Sequence, residues 1–470
     1  MHTLRVTYAL PILFIVCALP APACAQDQTY DEWLAADRAA QIEYDDTVTR
    51  QYQEFVQQEQ KAFDAFIEAA GRVWGSNDVW VPDRKSWVQY SEDLEERSGV
   101  DFEAGHARVQ VVVTDESDPD SVKTELAAAV ERLALSGTEG PIQMFHRRLF
   151  GNGNPPSTTT AARAAPDATY TVREGDTLWG VARKFRVSRT DLATANQLDQ
   201  EGWLQVGQIL KVPGITPLPA AVKPASTWKP SKDPLLRGQL QTRRGKPVSR
   251  ANARAYAREV VDEGLTVDTV KGSDGAARRV ASVSVPLVPN HVAVRAERFR
   301  PLVTKYAGKY GVYPPLIYAL IETESSFNPR ARSGVPAYGL MQLVPRSGAR
   351  DAYRYVYKED RMLPDTYLYD PRNNIELGCA FVHVLDSRYL KAIENATSRM
   401  FCTIAAYNTG AGNVARAFTE GRSVTRAAPI INSMGHDQVY ATLQRDLPYE
   451  ETRHYIEKVT QRMPQYRAWR

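Results

Sequence analysis

Residues 314 to 329 read Pro314-Pro315-Leu316-Ile317-Tyr318-Ala319-Leu320-Ile321-Glu322-Thr323-Glu324-Ser325-Ser326-Phe327-Asn328-Pro329. A helix begins near Pro315, a favourable first-turn residue. Ile317, Leu320 and Ile321 lie seven, four and three positions before Glu324, so that carboxyl shares their apolar face. Desolvation there penalises the charged form and makes the carboxyl keep its proton longer. Raising a Glu from ~4.3 to ~6 or 7 costs roughly 2–4 kcal/mol and yields a proton donor poised near neutral pH. Glu322 lies about 200° around the helix from Glu324 and is expected to face solvent. The two carboxyls therefore cannot flank one bond.

Downstream of Ala296, helical periodicity runs to the end of the chain. Upstream, Val48, Tyr52, Phe55, Val56, Phe63, Phe66 and Ile67 mark one face of a long amphipathic helix, and Val109, Val111 and Val113 alternate as a strand. A second helix follows from about Asp120 to Leu135, giving an α+β segment over 26–150. Leu265 to Leu287 reads as a hairpin turning at Gly272-Ser273-Asp274-Gly275. Such short pieces hold no core of their own, so residues 234–292 are expected to complete the sheet begun before residue 150. Stretches 151–167 and 215–233 have the Pro, Ala, Ser, Thr and Lys content of linkers.

At 470 residues the chain has room for about three folding units. Its 43% hydrophobic and 24% charged residues exclude wholesale disorder and a polytopic membrane protein, and a net charge of +3 implies no polyanion such as nucleic acid as partner. Residues 1–25 place Arg5 before an apolar stretch, Val6 to Leu19, followed by Pro20, Pro22 and the small-residue triplet Ala23-Cys24-Ala25. This is the pattern of a secretory signal cut before Gln26. Lipidation at Cys24 is the alternative, with possible outer-membrane association. Cys379 and Cys402 remain beyond the signal, and an even pair in an oxidising compartment suggests a disulfide. Two separate buried thiols are the other reading.

Between the linkers, 168–214 has the pattern strand, helix, helix, strand. Tyr170-Thr171-Val172-Arg173-Glu174-Gly175-Asp176-Thr177-Leu178-Trp179, then Leu192, Asn196 and Val206-Gly207-Gln208-Ile209-Leu210-Lys211-Val212, resembles a LysM domain over its whole length. The resemblance implies binding of N-acetylglucosamine-containing glycans such as peptidoglycan beside Gly175, Asp176, Thr177 and Leu178. Read without it, Gly175 supplies backbone freedom, Asp176 a cap and Leu178 a core contact.

An ordinary glycosidase needs two carboxyls, ~5–5.5 Å apart for retention or ~6.5–9.5 Å for inversion. A site with one acid takes its nucleophile from the substrate. Ile321 to Pro329, then Ser333, Gly339-Leu340-Met341-Gln342, Ala406-Tyr407-Asn408-Thr409-Gly410-Ala411-Gly412 and Glu451-Thr452-Arg453-His454-Tyr455, resemble in order the signature of lytic transglycosylases with a goose-lysozyme-like catalytic domain, here over 295–468. Within that group the chain is most similar to the membrane-bound lytic murein transglycosylase C type, from which an inserted LysM module and a signal favouring ordinary cleavage depart.

The resemblance implies a mainly α lysozyme-like domain in which Glu324 is general acid and then base, while the muramoyl 6-hydroxyl attacks the anomeric carbon. Ser333 orients the intermediate, Met341 and Gln342 line the cleft, and Tyr407, Asn408 and Tyr455 hold the sugar or Glu324. Met341 and Tyr407 also fit plain core, and Asn408 before Gly410 fits a helix C-cap. The expected architecture is multidomain: an α+β N-terminal domain, a βααβ LysM module and the helical catalytic domain. An exported, periplasmic peptidoglycan lyase needing no cofactor or metal is the leading reading; a water-using muramidase and a non-catalytic wall-binding protein are the alternatives.

Overall fold

A computed structural model describes residues 50, 53–54, 56–114, 117–137, 168–172, 192, 195–198, 204, 207–212, 233–334 and 337–469. The signal, Cys24, both linkers, the side chains of Val48, Tyr52 and Phe55, and the Gly175 to Leu178 turn lie outside them. The chain divides after Glu54, and everything below belongs to the unit from Phe55 onward.

Helix α1 (residues 56–74) buries Glu59, Ala62, Phe66, Ala70 and Trp74, spaced at three and four along one face. Strands β1 (Ser86–Tyr90), β2 (Glu96–Asp101) and β3 (His106–Val113) follow as an antiparallel meander. Asp118 then starts α2 (Pro119–Leu135) by accepting from the amides of Asp120 and Ser121.

Beyond the LysM region, α3 (Ala253–Gly264) leads into a hairpin of β6 (Thr266–Lys271) and β7 (Ala277–Pro286). Two strands of the LysM region come before it, β4 (Ala168–Thr171) and β5 (Ile209–Val212). Strand β7 pairs antiparallel with β3, Val109 opposite Val283, so the sheet order is β1-β2-β3-β7-β6. Alternation then sorts the faces: Val109, Val111 and Val113 pack toward α2 and α3, while Val88, Tyr90 and Val280 pack on α1.

In the LysM region β4 and β5 pair antiparallel, Tyr170 opposite Leu210. Asn196 ties the second helical position to the closing strand. Its Nδ2 donates to the Leu192 carbonyl at 2.8 Å and the Lys211 carbonyl at 2.7 Å, and its Oδ1 accepts from the Lys211 amide at 2.6 Å. That residue of the motif holds the fold.

The C-terminal portion is helical: α4 (His291–Tyr310), α5 (Pro314–Ser325), α6 (Gly348–Tyr357), α7 (Pro371–Val384), α8 (Ala396–Thr409), α9 (Ala411–Arg416), α10 (Val424–Asn432), α11 (His436–Asp446) and α12 (Glu450–Arg462). Helix α5 runs through the centre, every residue from Pro315 to Ile321 buried, between α4, α12 and the turn Met463–Tyr466. It stops because Ser326 and Phe327 take left-handed φ of 48° and 59°.

Two expectations are corrected. Glu322 does not face water: the chain after α12 folds back over it, so Tyr466 Oη donates to its Oε2 at 2.6 Å and Arg462 Nε lies 3.1 Å from its Oε1. The disulfide is not formed, since Cys379 and Cys402 are free, buried thiols. Cys379 sits on α7, packed chiefly on α4 and α6, whereas Cys402 sits on α8, packed on α9, α11 and α12. Each thiol is fully enclosed by its own helix's neighbours, and burial pushes the Cys402 thiol up to about 12.

The sheet domain is docked on the turn that ends α5. Arg295, only 3% exposed, donates from Nε to the Ser326 carbonyl at 2.8 Å, from Nη2 to the Phe102 carbonyl at 2.7 Å and from Nη1 to Gln239 Oε1 at 2.8 Å. Asn328 Nδ2 donates to the Ser86 carbonyl of β1 at 3.2 Å. These bonds bring the 81–86 segment beside Glu324.

Candidate active site

A cleft of about 1440 Å³ is lined by Glu324, Ser333, Gln342, Tyr407, Asn408 and Asn413 from the helical domain, by Glu450 and Glu451 at the start of α12, and by Arg84, Lys85, Gln60 and Phe63 from the N-terminal domain. The floor is the C-terminal end of α5. Glu324 is 5% exposed; burial outweighs every other influence and pushes its carboxyl up to about 7. Tyr455, on α12, donates its hydroxyl to Glu324 Oε1 at 2.7 Å, which opposes that rise. With Oε1 accepting this bond, Oε2 is the oxygen left to carry the proton of the neutral acid.

The other predicted residues divide. Gln342, with φ of 46°, donates through Nε2 to the carbonyls of Ala331 and Gly339, both at 3.0 Å, and so fixes the loop that carries Ser333. Asn408 Oδ1 accepts from Thr452 Oγ1 at 2.7 Å, joining α8 to α12 at the rim. Tyr407 lines the cleft but donates to the Met341 carbonyl at 2.7 Å, so it braces a loop and holds neither Glu324 nor an open sugar position by that bond.

Met341 is a correction: its side chain is fully buried and does not line the cleft. It fills the space over Gly378, where an added Cβ would stand 2.1 Å from its sulfur.

Several participants carry no signal in the sequence. Asn374, fully buried on α7, accepts from the Met341 amide at 2.8 Å and donates to the Tyr338 and Leu368 carbonyls at 2.8 and 2.7 Å. One side chain thereby pins the whole 338–342 loop. Arg332 pairs with Glu59 of α1 at 3.1 Å, and burial still pushes the Glu59 carboxyl up to about 7. Arg84 Nη1 lies 3.9 Å from Glu324 Oε2 and its Nη2 3.5 Å from Glu451 Oε1. An Asp-Arg-Lys run in sequence reads only as a solvated turn.

Comparison with known proteins resolves the family. Residues 301–428 match the Transglycosylase SLT domain, 170–213 the LysM domain and 49–146 the N-terminal domain of membrane-bound lytic murein transglycosylase C. Membrane-bound lytic murein transglycosylase C of Sodalis glossinidius is 30% identical over 403 residues, 86% of this chain and 88% of that one. The chain belongs to the membrane-bound lytic murein transglycosylase C family.

As a member it is an enzyme, a lytic murein transglycosylase of the cell envelope, and its SLT and LysM domains imply peptidoglycan binding. The Haemophilus influenzae relative is likewise 30% identical, over 406 residues, with 86% and 88% of the two chains covered. With the Serratia proteamaculans relative the match is 41% over 238 residues, 50% of this chain and 64% of the relative. Among solved structures, an inactive mutant of the lytic transglycosylase Slt of Pseudomonas aeruginosa is 28% identical over 36% of this chain and 23% of its own, with a TM-score of 0.28. Among the described residues no helix is long and apolar enough to cross a membrane.

Proposed function

We propose that the enzyme cleaves the β-1,4 bond between N-acetylmuramic acid and N-acetylglucosamine in peptidoglycan and leaves a 1,6-anhydromuramoyl end. The supporting observation is a single buried carboxyl at the cleft floor, Glu324, neutral up to about pH 7 and oriented by Tyr455. Glu324 gives the proton on Oε2 to the glycosidic oxygen as the C–O bond breaks. The resulting carboxylate takes the proton of the muramoyl 6-hydroxyl while that oxygen bonds to the anomeric carbon. Glu324 ends protonated, and no water is consumed.

Glu451 is no partner in this step, because at 69% side-chain exposure it stands in solvent at the rim, 3.5 Å from Arg84. Ser333, Gln342 and Asn408 contact the sugars, and Tyr455 keeps Glu324 in place. LysM residues Gly175, Asp176, Thr177 and Leu178 hold a glycan strand and keep the catalytic domain near its substrate. Export to the periplasm with cleavage before Gln26, or lipidation of Cys24 and attachment to the outer membrane, brings the enzyme to the wall.

Mass spectrometry of sacculus digests tests the chemistry. Products one water lighter than hydrated muramoyl ends are expected; predominantly hydrated ends make the enzyme a muramidase.

A further inference from the structure

The N-terminal domain reaches the catalytic carboxyl with one side chain. Arg84 stands on the loop between α1 and β1, 3.9 Å from Glu324 Oε2 on one side and 3.5 Å from Glu451 Oε1 on the other. Oε2 is the oxygen left to exchange the proton, since Tyr455 occupies Oε1. We propose that Arg84 is a positioning residue for the reaction: it stabilises the Glu324 carboxylate formed when the proton leaves, and Glu451 divides that cation's field between the two carboxylates.

This inference rests on Glu324 being the acid of the proposed reaction. The remaining charged and titratable groups facing Glu324 are few. Tyr455 and Tyr407 come from α12 and α8, both hydroxyls held neutral well above their ordinary range by burial. Lys85, from the Arg84 loop, lies near enough to favour the carboxylate but is paired with Glu103; Asp101 and Glu450 also line the cleft. Arg462 and Glu322 pair on the opposite side of α5. Among the described residues, Arg84 is therefore the cation in ion-pair reach of the reacting oxygen.

Coulomb's law makes the signs opposite for the two neighbours. Removing Arg84 deprives the carboxylate of an attractive charge and raises the Glu324 titration, while removing the Glu451 charge lifts a direct repulsion, frees Arg84 and lowers it. At a separation near 4 Å the Arg84 displacement is at least about 0.7 pH unit, the value for bulk water, and larger where burial lowers the screening.

Two readouts on the mature full chain decide the matter. The first is the alkaline limb of sacculus clearing against pH. The second, independent of turnover, is the pH midpoint at which the melting temperatures of wild type and Glu324→Gln diverge. Both midpoints should move up in Arg84→Met, return toward wild type in Arg84→Lys and move down in Glu451→Gln. Unmoved stability midpoints, or shifts of the same sign in Arg84→Met and Glu451→Gln, overturn the inference. If the stability midpoints move as expected while the clearing limb stays fixed, Arg84 acts on Glu324 as inferred, and Glu324 is not the acid whose ionisation limits the reaction.

Discussion

At position 324, exchanging carboxyl for carboxamide keeps the shape, keeps an oxygen to accept from Tyr455, and removes the transferable proton. Glu324→Gln should therefore lose sacculus clearing while folding normally. Its stability should depend on pH in a stated direction. The folded carboxyl titrates near 7, above the ~4.5 of an unfolded chain, so its favourable contribution is complete below about pH 4.5 and is lost as pH rises through 7. Above pH 7 the wild type holds a buried charge that the Gln variant does not. Melting curves should show the two alike near pH 5 and Glu324→Gln more stable by on the order of 2–3 kcal/mol near pH 9. Equal stability at both pH values contradicts a buried neutral carboxyl. The apolar neighbours that raise this group are three and four positions away on the same helix, so its burial was legible in the sequence. Its partners were not written in local spacing: Tyr455, 131 residues distant along the chain, was named only through the family resemblance.

At the scale of elements, the loop 338–342 is held by α7 rather than by its own sequence. Asn374 bonds it from the side, and Gly378 leaves room for Met341. Gly378→Ala, favourable for an isolated helix by about 1 kcal/mol, should instead destabilise the protein by roughly 1–3 kcal/mol because Met341 must leave its place. Since Tyr407 donates to the Met341 carbonyl, clearing activity should fall more than stability alone explains. A stability gain, read from denaturant midpoints, removes the steric argument. Helix existence along 291–462 follows from periodicity, but which helices become neighbours does not. That gap accounts for the expected disulfide: Cys379 and Cys402 lie on helices whose principal partners differ, a fact of tertiary packing that spacing does not encode. Glu322 failed for the same reason, because the helical wheel finds its direction but not the C-terminal turn that covers it.

For the whole molecule, the cleft is lined from the sheet domain as well as the helical one, and the LysM region is proposed as a separate attachment to glycan. Arg295→Met should cost about 3 kcal/mol or more, since the carbonyls of Ser326 and Phe102 lose a buried donor together. Limited proteolysis should then release the N-terminal domain more readily; unchanged digestion denies Arg295 its docking role. Deleting Tyr170 to Pro213 should weaken sedimentation with sacculi and leave turnover of soluble glycan fragments largely intact, because a tether raises local concentration without touching the transition state. Collapse of soluble turnover in a folded deletion variant would assign the module to the cleft itself. From the sequence alone came the α+β and helical segments, the LysM pattern and the buried Glu324, each written in spacings of two, three and four residues that local geometry enforces. Only the tertiary structure brought Arg84 across the cleft to Glu324, set Asn374 beneath the 338–342 loop and left the two thiols unbonded. Those contacts join residues tens to hundreds of positions apart, where burial and docking decide proximity and no local periodicity records it.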